Sequence, residues 1–491
     1  MGVTVLAALL RFPTLAGQSY WYDEIVTVGL LKMHLGDLLS AIPDSENTPP
    51  LYYLLAWAWS QLFGTGEFAL RSLSAVFGVA LVPVVYLLFK ELASRRVGLV
   101  ASLLAAVNPF LVWYSQEARG YALLALLAAI SLLLFVRALN SASSKWVVWW
   151  AVASALTLCT HYTASFLIGA EALLLLFAHR RHSEVRWTTV GATAAMAAVG
   201  GALLPLAIHQ RGLGFTDWIT TTPLFDRVKA LPSDFISIPS KYVPGDSIVE
   251  VMKLVSAGLV AVGLVLFVLR ARDRERSGGL LMLWLGLLTA AASLALAAIG
   301  IDVLVGRNLI VLWLPAMGIV AIGLGAQRAG KVGAAAAAAL GILGVATVLV
   351  TATDTRYQRD AWDEAASKLG GSQGSPAFVF AQGGFDGALL RYYGVTTEQL
   401  SASGLEASNL AVLYRKPNRD PVDQVASPPK TNHLAGMQLA GVESFQQFVI
   451  VRFRSMRPVS VTLADLAGLP FESFGCCAPT ATFIAARAAT R

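Results

Sequence analysis

Residues 96–137 read RVGLVASLLAAVNPFLVWYSQEARGYALLALLAAISLLLFVR, and the fold follows from how this stretch divides. Two apolar runs, 96–114 and 120–137, flank the short polar turn Ser115-Gln116-Glu117-Ala118-Arg119. Each run approaches the roughly 20 residues that a helix needs to cross a hydrocarbon core about 30 Å thick. A Glu and an Arg between two such runs are costly unless they pair or serve a ligand. Working outward, similar runs occur at 67–90, 146–160, 162–179, 187–209, 248–269, 278–300, 303–326 and 331–352. Segment 1–12 is apolar but half a span long, and it lacks the basic leader and small-residue cleavage site of a signal peptide. The expectation is an α-helical polytopic membrane protein with about 11 transmembrane helices.

Composition agrees. Of 491 residues, 56% are apolar and 14% charged, too few charges to coat soluble globules of this total length. The net charge of +7 is not spread evenly. The connections 90–96, 137–145, 180–186, 270–276 and 328–331 hold 14 Lys and Arg against four acids, whereas 13–66 holds one lysine and five acids. Alternating loops of this kind orient a membrane protein with its basic loops in the cytoplasm. The positive charge therefore marks cytoplasmic loops, and no nucleic-acid partner is implied. Three segments then fall outside: 13–66, the proline-containing 210–247, which reads as an interfacial loop, and the tail 353–491. The tail, with 13 basic and 12 acidic residues, has the polarity of a soluble domain. Its runs 377–380, 410–414 and 448–453 read as strands, and 361–369 and 386–393 as helices, so a small α/β or α+β domain is expected. The alanine run 334–339 reads as small-residue helix packing. Three cysteines, two of them the adjacent Cys476 and Cys477, make no disulfide framework.

Four polar clusters share the predicted outer face. Tyr20-Trp21-Tyr22-Asp23-Glu24 sets two carboxylates among aromatics, where a low dielectric moves acidities readily; an interfacial aromatic belt with a capping acid is the plain alternative. Gln116-Glu117-Ala118-Arg119 is a charged turn whose plain alternative is a local ion pair. Thr160-His161-Tyr162 places a histidine that is more often a structural hydrogen bonder than a catalyst. In Gly306-Arg307-Asn308 an outward arginine suits an anionic phosphate, or snorkels to the interface. Four clusters far apart in sequence, reaching one face, are what a site for a charged lipid headgroup requires.

With these residues in hand, the chain resembles the C-type membrane glycosyltransferases, in particular bacterial relatives of protein O-mannosyltransferases and of the lipid A aminoarabinose transferase. The resemblance rests on Asp23-Glu24 in the first outer loop, on Thr48-Pro49-Pro50-Leu51-Tyr52-Tyr53, and on Asn108-Pro109 through Gln116-Glu117-Ala118-Arg119 to Tyr121. It implies a transmembrane glycosyltransferase domain over 1–352, with a catalytic loop at 13–66, and an extracytoplasmic domain over 353–491. It implies inverting transfer of a mannose- or arabinose-like sugar from a polyprenyl-phosphate donor to a hydroxyl of a protein, glycolipid or cell-wall glycan. Asp23 is then the general base, Glu24 orients it, and Glu117 holds Arg119 or the sugar. Arg119 and Arg307 bind the donor phosphate, while Tyr22, Tyr52, Tyr53, Tyr114 and His161 line the substrate.

Two departures stand out. Thr48 occupies a position where some relatives carry His or Lys, and Gln116 precedes Glu117 where relatives have two acids. A dedicated metal site is therefore not expected, although Asp23, Glu24 and Glu117 are the carboxylates that would gather a divalent ion. The rival reading is a transporter or flippase for lipid-linked sugars, which makes no bond. Such a protein places ionisable groups near the midplane within repeated halves; here Glu171 is the exception in an otherwise uncharged interior, and no second half mirrors the first.

Overall fold

A backbone in lipid must satisfy its own polar groups, which leaves helices as the natural form for these runs. The computed structural model describes residues 1–141, 143–237, 247–370, 377–381, 386–399, 405–415, 433–462, 465 and 482–488. Its N-terminal part is helical: α1 (Gly2–Arg11), α2 (Tyr22–Leu31), α3 (Leu35–Ser45), α4 (Leu51–Phe63), α5 (Glu67–Leu92), α6 (Arg95–Val107), α7 (Pro109–Ser115), α8 (Tyr121–Ser141), α9 (Ser144–Leu158), α10 (Ala164–His179), α11 (Ser183–Gly212), α12 (Leu224–Ile236), α13 (Ser247–Arg270), α14 (Asp273–Ala298), α15 (Trp313–Gly325) and α16 (Gly330–Thr353).

The apolar runs found in the sequence are helical, as expected, but they differ in length. Among the described residues, seven helices are long and apolar enough to cross a membrane, or eight if one bent pair is a single span. The helices α1, α9 and α10, with 10, 15 and 16 residues, are shorter than a perpendicular span. The bent pair is α6 and α7, which turn by 56° where the sequence suggested one continuous span. The cause is local. Pro109 has no N–H to continue the ladder, and Asn108 caps the new helix by accepting from the Leu111 amide at 3.1 Å.

The chain divides into two compact units: one of residues 1–15, 27–239 and 247–350, the other of 16–26, 240–246 and 351–491. In the first, α8 is sheathed by α5, α9 and α10, and α15 by α6, α13 and α14. By contrast, α11, α13 and α14 leave most of their apolar surface uncovered, as lipid-facing helices do. Small residues set the closest approaches. A Cβ at Gly323 of α15 would lie 1.9 Å from the carbonyl oxygen of Gly263 on α13, and one at Gly344 of α16 would lie 2.7 Å from that of Val107. The alanine run in α16 buries Ala336 and Ala337, as its composition suggested. Glu171, buried in α10, accepts hydrogen bonds from Ser131 (2.5 Å) and from the Trp150 indole (2.6 Å).

The second unit holds α17 (Trp362–Gly370), α18 (Asp386–Tyr392) and strands β1 (Ala377–Ala381), β2 (Val395–Gln399), β3 (Leu405–Arg415), β4 (His433–Leu434), β5 (Met437–Phe445), β6 (Phe448–Val461) and β7 (Thr482–Ala488). They form a seven-stranded sheet in the order β2-β7-β1-β3-β6-β5-β4, antiparallel except where β1 meets β3. Trp362, Ala366 and Leu369 of α17 pack with Leu389 and Leu390 of α18 and with Leu413, Phe448 and Ile450 of the sheet. This is the small α+β domain that the tail suggested. Cys476 and Cys477 lie outside the described residues.

The Gly323–Gly263 crossing yields a test. Gly323→Val sets a branched side chain against backbone that cannot yield, so a loss of at least about 1–3 kcal/mol is expected. Thermal unfolding of the purified protein in detergent checks this, and an unchanged midpoint would contradict the close crossing of α13 and α15.

Candidate active site

In the first unit the charged turn before α8 is organised by a buried ion pair. Arg119 donates from Nη1 to Glu46 Oε1 at 2.8 Å and to the Thr27 hydroxyl at 3.2 Å, and its guanidinium lies 5.8 Å from the Tyr53 ring centroid. Both charged side chains are nearly inaccessible, at 6% and 3% exposure, so each depends on the other for the solvation it has lost. Glu46 ends α3, just before Pro49-Pro50, whose fixed backbone leads into α4. From α4, Tyr53 shares a 3.0 Å hydrogen bond with Thr48 and Tyr52 a 3.3 Å bond with Ser74. Burial holds the Tyr53 phenol well above its ordinary range, with Arg119 opposing, so it stays a neutral hydrogen bonder. Gly120 lets the start of α8 sit against α4: a Cβ there would be 3.3 Å from Tyr52 Cβ and 3.6 Å from Thr160.

His161 lies in the turn between α9 and α10, joined to the Thr163 hydroxyl at 2.8 Å, while that hydroxyl donates to the Asn308 carbonyl at 2.6 Å. Burial first, and then the positive charges of Arg119 and Arg307, push His161 down to about 3. It is therefore neutral near pH 7, and both arginines lie within electrostatic reach of one imidazole. Arg307 follows Gly306, where a Cβ would come 2.8 Å from the Asp234 carboxylate. The Arg307 guanidinium is 5.1 Å from the Trp218 ring.

A line of aromatic contacts joins these groups. Phe235 meets Phe110 at 5.2 Å, Phe110 meets Tyr114 at 4.9 Å, Tyr114 meets Tyr121 at 5.1 Å, and Tyr121 meets His161 at 6.0 Å. The Tyr114 hydroxyl also feels the charges of Glu117, Arg307 and Asp234. Helix α12 is pinned at both ends, by Arg227 on Asp302 (2.8 Å from Nη1) and by Asn108 on the Phe235 carbonyl (2.8 Å). Gln210 ties the acidic loop down, donating to the carbonyls of Ile42 (3.3 Å) and Thr48 (3.4 Å) while it accepts from the Tyr162 hydroxyl (2.7 Å).

In the second unit, Asp23 and Glu24 stand in the first turn of α2, where a helix dipole favours carboxylates. Glu24 is fully buried and accepts from the Trp21 amide at 3.3 Å. The segment before them is fastened within that unit: the Tyr20 amide donates to the Tyr393 hydroxyl (2.7 Å), Ser19 to Asp363 (2.5 Å), and Tyr20 meets the Tyr392 ring at 5.5 Å. Tyr22 packs partly against the core formed by α17, α18 and the sheet.

Of the residues named from sequence, Arg119, Tyr53, Tyr114, Glu117, His161 and Arg307 are drawn into one neighbourhood, and Tyr52 borders it. Glu46 is a partner of Arg119 that the sequence did not name. Sequence reasoning also missed Asp234, Gln210 and Thr27. Glu46 had a signal, being an acid two residues before Thr48-Pro49-Pro50, but nothing local named its cation. Among the described residues, no three His, Cys, Asp or Glu side chains group as a metal site.

Residues 47–203 match the family described as dolichyl-phosphate-mannose-protein mannosyltransferase. In three dimensions the chain is similar to apo ArnT from Cupriavidus metallidurans, with 14% identity over 92% of this chain and 97% of that one and a TM-score of 0.52. The fold is that of the C-type membrane glycosyltransferases. ArnT bound to undecaprenyl phosphate gives the same coverage and TM-score at 12% identity. The oligosaccharyltransferase of Archaeoglobus fulgidus is similar over 75% of this chain, at 14% identity and a TM-score of 0.41, and the chain spans 55% of its length. No curated protein matches by sequence. The family match takes in Thr48, Glu117, Arg119 and His161 and leaves Asp23, Glu24 and Arg307 outside it.

Gln116, one of the two departures noted from sequence, has a structural explanation in this C-type fold. Its amide donates to the Arg11 carbonyl (2.9 Å) and the Thr14 hydroxyl (2.7 Å). Arg11 in turn is buried against the end of α6, donating to the carbonyls of Ala106 (2.7 Å) and Ala105 (3.2 Å). An ionised acid at position 116 would face the Arg11 carbonyl, which can only accept. Gln116→Glu is therefore expected to cost about 1–3 kcal/mol and to lower the thermal midpoint in detergent; equal stability would remove this role.

Proposed function

We propose that this chain transfers a single mannose- or arabinose-like sugar, with inversion, from a polyprenyl-phosphate donor to a hydroxyl acceptor at the outer face of the cytoplasmic membrane. The observation that carries the reading is that Arg119, held in a buried ion pair, and Arg307, distant in sequence, both act electrostatically on the buried His161. Two arginines whose charge reaches one region suit a phosphate, which needs its charge stabilised as it leaves. ArnT, similar in fold, is a protein known with bound undecaprenyl phosphate, which supports a carrier of that class here.

The reaction then needs a base more than an acid. A hydroxyl is a weak nucleophile near pH 7, and a positioned carboxylate that takes its proton contributes roughly 10²–10⁴-fold. Asp23 takes that role, with Glu24 orienting it. The leaving phosphate is stable without protonation, so Arg119 and Arg307 stabilise it electrostatically. Tyr52, Tyr53 and Tyr114 line the path of sugar or lipid, and neutral His161 offers a hydrogen bond. The acceptor is a protein Ser or Thr, a glycolipid or a cell-wall glycan. The transporter reading is weaker, because the interior acid Glu171 is engaged by Ser131 and Trp150.

Asp23→Asn is expected to fold and insert normally while losing transfer by at least about 100-fold. The measurement is radiolabel moved from undecaprenyl-phosphate-linked mannose or arabinose to native membranes; retained transfer would discard Asp23 as the base. A periplasm-sensitive reporter fused after Asp354 is expected to read extracytoplasmic. A cytoplasmic signal would reverse the orientation on which the outer site depends.

A further inference from the structure

We infer that the two turns at the far end of α8 from Arg119 form a binding site for an anionic phospholipid. Helix α8 has 21 residues, so this end lies roughly 30 Å from the Arg119 turn. The α8–α9 and α10–α11 turns are joined there. The hydroxyls of Ser144 and Thr188 share a 2.9 Å hydrogen bond. His179, at the end of α10, bonds the Thr189 hydroxyl (2.8 Å) and the Ala138 carbonyl (3.3 Å). Packing thus gathers Lys145 from one turn and Arg180, Arg181 and Arg186 from the other at one corner of the membrane unit. All four are exposed, and Glu184 is the one acid in these two turns. Among the described residues, no ion pair engages any of the four. The segregation of basic loops to one side accounts for the sign of this charge. Yet other basic connections are satisfied within the protein: Arg137 holds Glu91 (2.9 Å from Nε), Arg96 donates to the Gly330 carbonyl, and Arg274 donates to that of Glu91.

The cations of this corner are set against aromatic rings. Lys145 Nζ lies 5.2 Å from the Trp146 ring centroid, the Arg186 guanidinium 5.0 Å from that of Trp187, and the Arg180 guanidinium 3.6 Å from that of Phe177. Trp187 is 69% exposed and Phe177 65%, which suits the boundary between headgroups and acyl chains. A ring against each cation fixes its place, so less rotamer freedom is lost when a phosphate binds. Next to the charges, α9 packs on α11 and leaves Val148, Trp149 and Val152 exposed, with Val190 on α11. Cation, aromatic ring and apolar surface are the parts that a phosphodiester headgroup on acyl chains requires, and basic pockets between transmembrane helices take such headgroups. A zwitterionic lipid brings the same chains and phosphate but adds an ammonium that these cations repel.

The test uses the purified full chain in detergent, titrated with phosphatidylglycerol or phosphatidylcholine, with bound lipid counted by native mass spectrometry. The wild type is expected to bind phosphatidylglycerol at least about tenfold more tightly, since each Lys or Arg near a headgroup adds to the attraction. The triple variant Arg180→Gln, Arg181→Gln, Arg186→Gln should lose that preference to within about twofold. A matched triple in the 270–276 connection, Arg270→Gln, Arg272→Gln, Arg276→Gln, removes the same charge and should keep the preference. Where the first triple does not fold, Arg181→Gln serves in its place. That side chain is exposed and makes no hydrogen bond or ion pair among the described residues, and its loss should weaken phosphatidylglycerol binding about threefold. No preference in the wild type, equal loss in both triples, or unchanged binding by Arg181→Gln would overturn the inference. Soluble glycerol phosphate in excess should leave the lipid bound; displacement would overturn the lipid assignment in favour of a free phosphate.

Discussion

The ion pair between Arg119 and Glu46 is the constraint around which the membrane unit is arranged. A charge buried at this depth is tolerated only with a partner at hydrogen-bonding distance. Satisfying Arg119 therefore requires that α3, α4 and the turn before α8 meet in one place. Each nearby feature serves that meeting. The prolines at 49 and 50 set the chain's path into α4, Gly120 removes the side chain that would hold α8 off Tyr52, and Gln210 anchors the loop that carries the acid. Replacing the pair by apolar residues of equal volume would relieve desolvation, yet the protein retains it. That choice is understandable where a cation has work to do.

A second organising force is the absence of side chains. With lipid on one side and protein on the other, helices gain little hydrophobic driving force from meeting each other, and close backbone approach takes its place. Gly323 of α15 and Gly333 and Gly344 of α16 lie where a single added carbon would strike a neighbouring carbonyl. The polar exceptions in the interior are paid for one by one: Arg11 on the end of α6, Glu171 between Ser131 and Trp150, and His179 on Thr189 at 2.8 Å.

Much of this was legible in the order of residues, and the reason is physical. Span location depends on local hydropathy and loop charge, both of which are written in consecutive residues; hence 67–90 and 120–137 appear as α5 and α8 nearly unchanged. The tail's strands at 377–380 and 448–453 were marked by apolar, strand-forming runs. The bend at Asn108 was less visible, because the run is apolar on both sides and one proline was the sole cue. Partners were least visible of all. Arg119 was readable as a residue in need of an anion, but one that it finds, Glu46, lies 73 positions away in a loop with several acids. Likewise, nothing near Gly306 announces Asp234. Sequence supplies the need for an ion pair and its types, while long-range packing chooses the members.

The fastening of residues 18–20 carries a consequence for how the protein comes into being. The amide of Tyr20 finds its acceptor 373 positions later, and Ser19 finds Asp363 across 344. During synthesis, the stretch that leads into Asp23-Glu24 emerges before both partners and waits while the 344 to 373 positions between them are made. The acid pair acquires its frame only after Asp363 and Tyr393 have been made. Chains halted before those partners would have their earlier helices made but lack that frame, so maturation is timed by this separation.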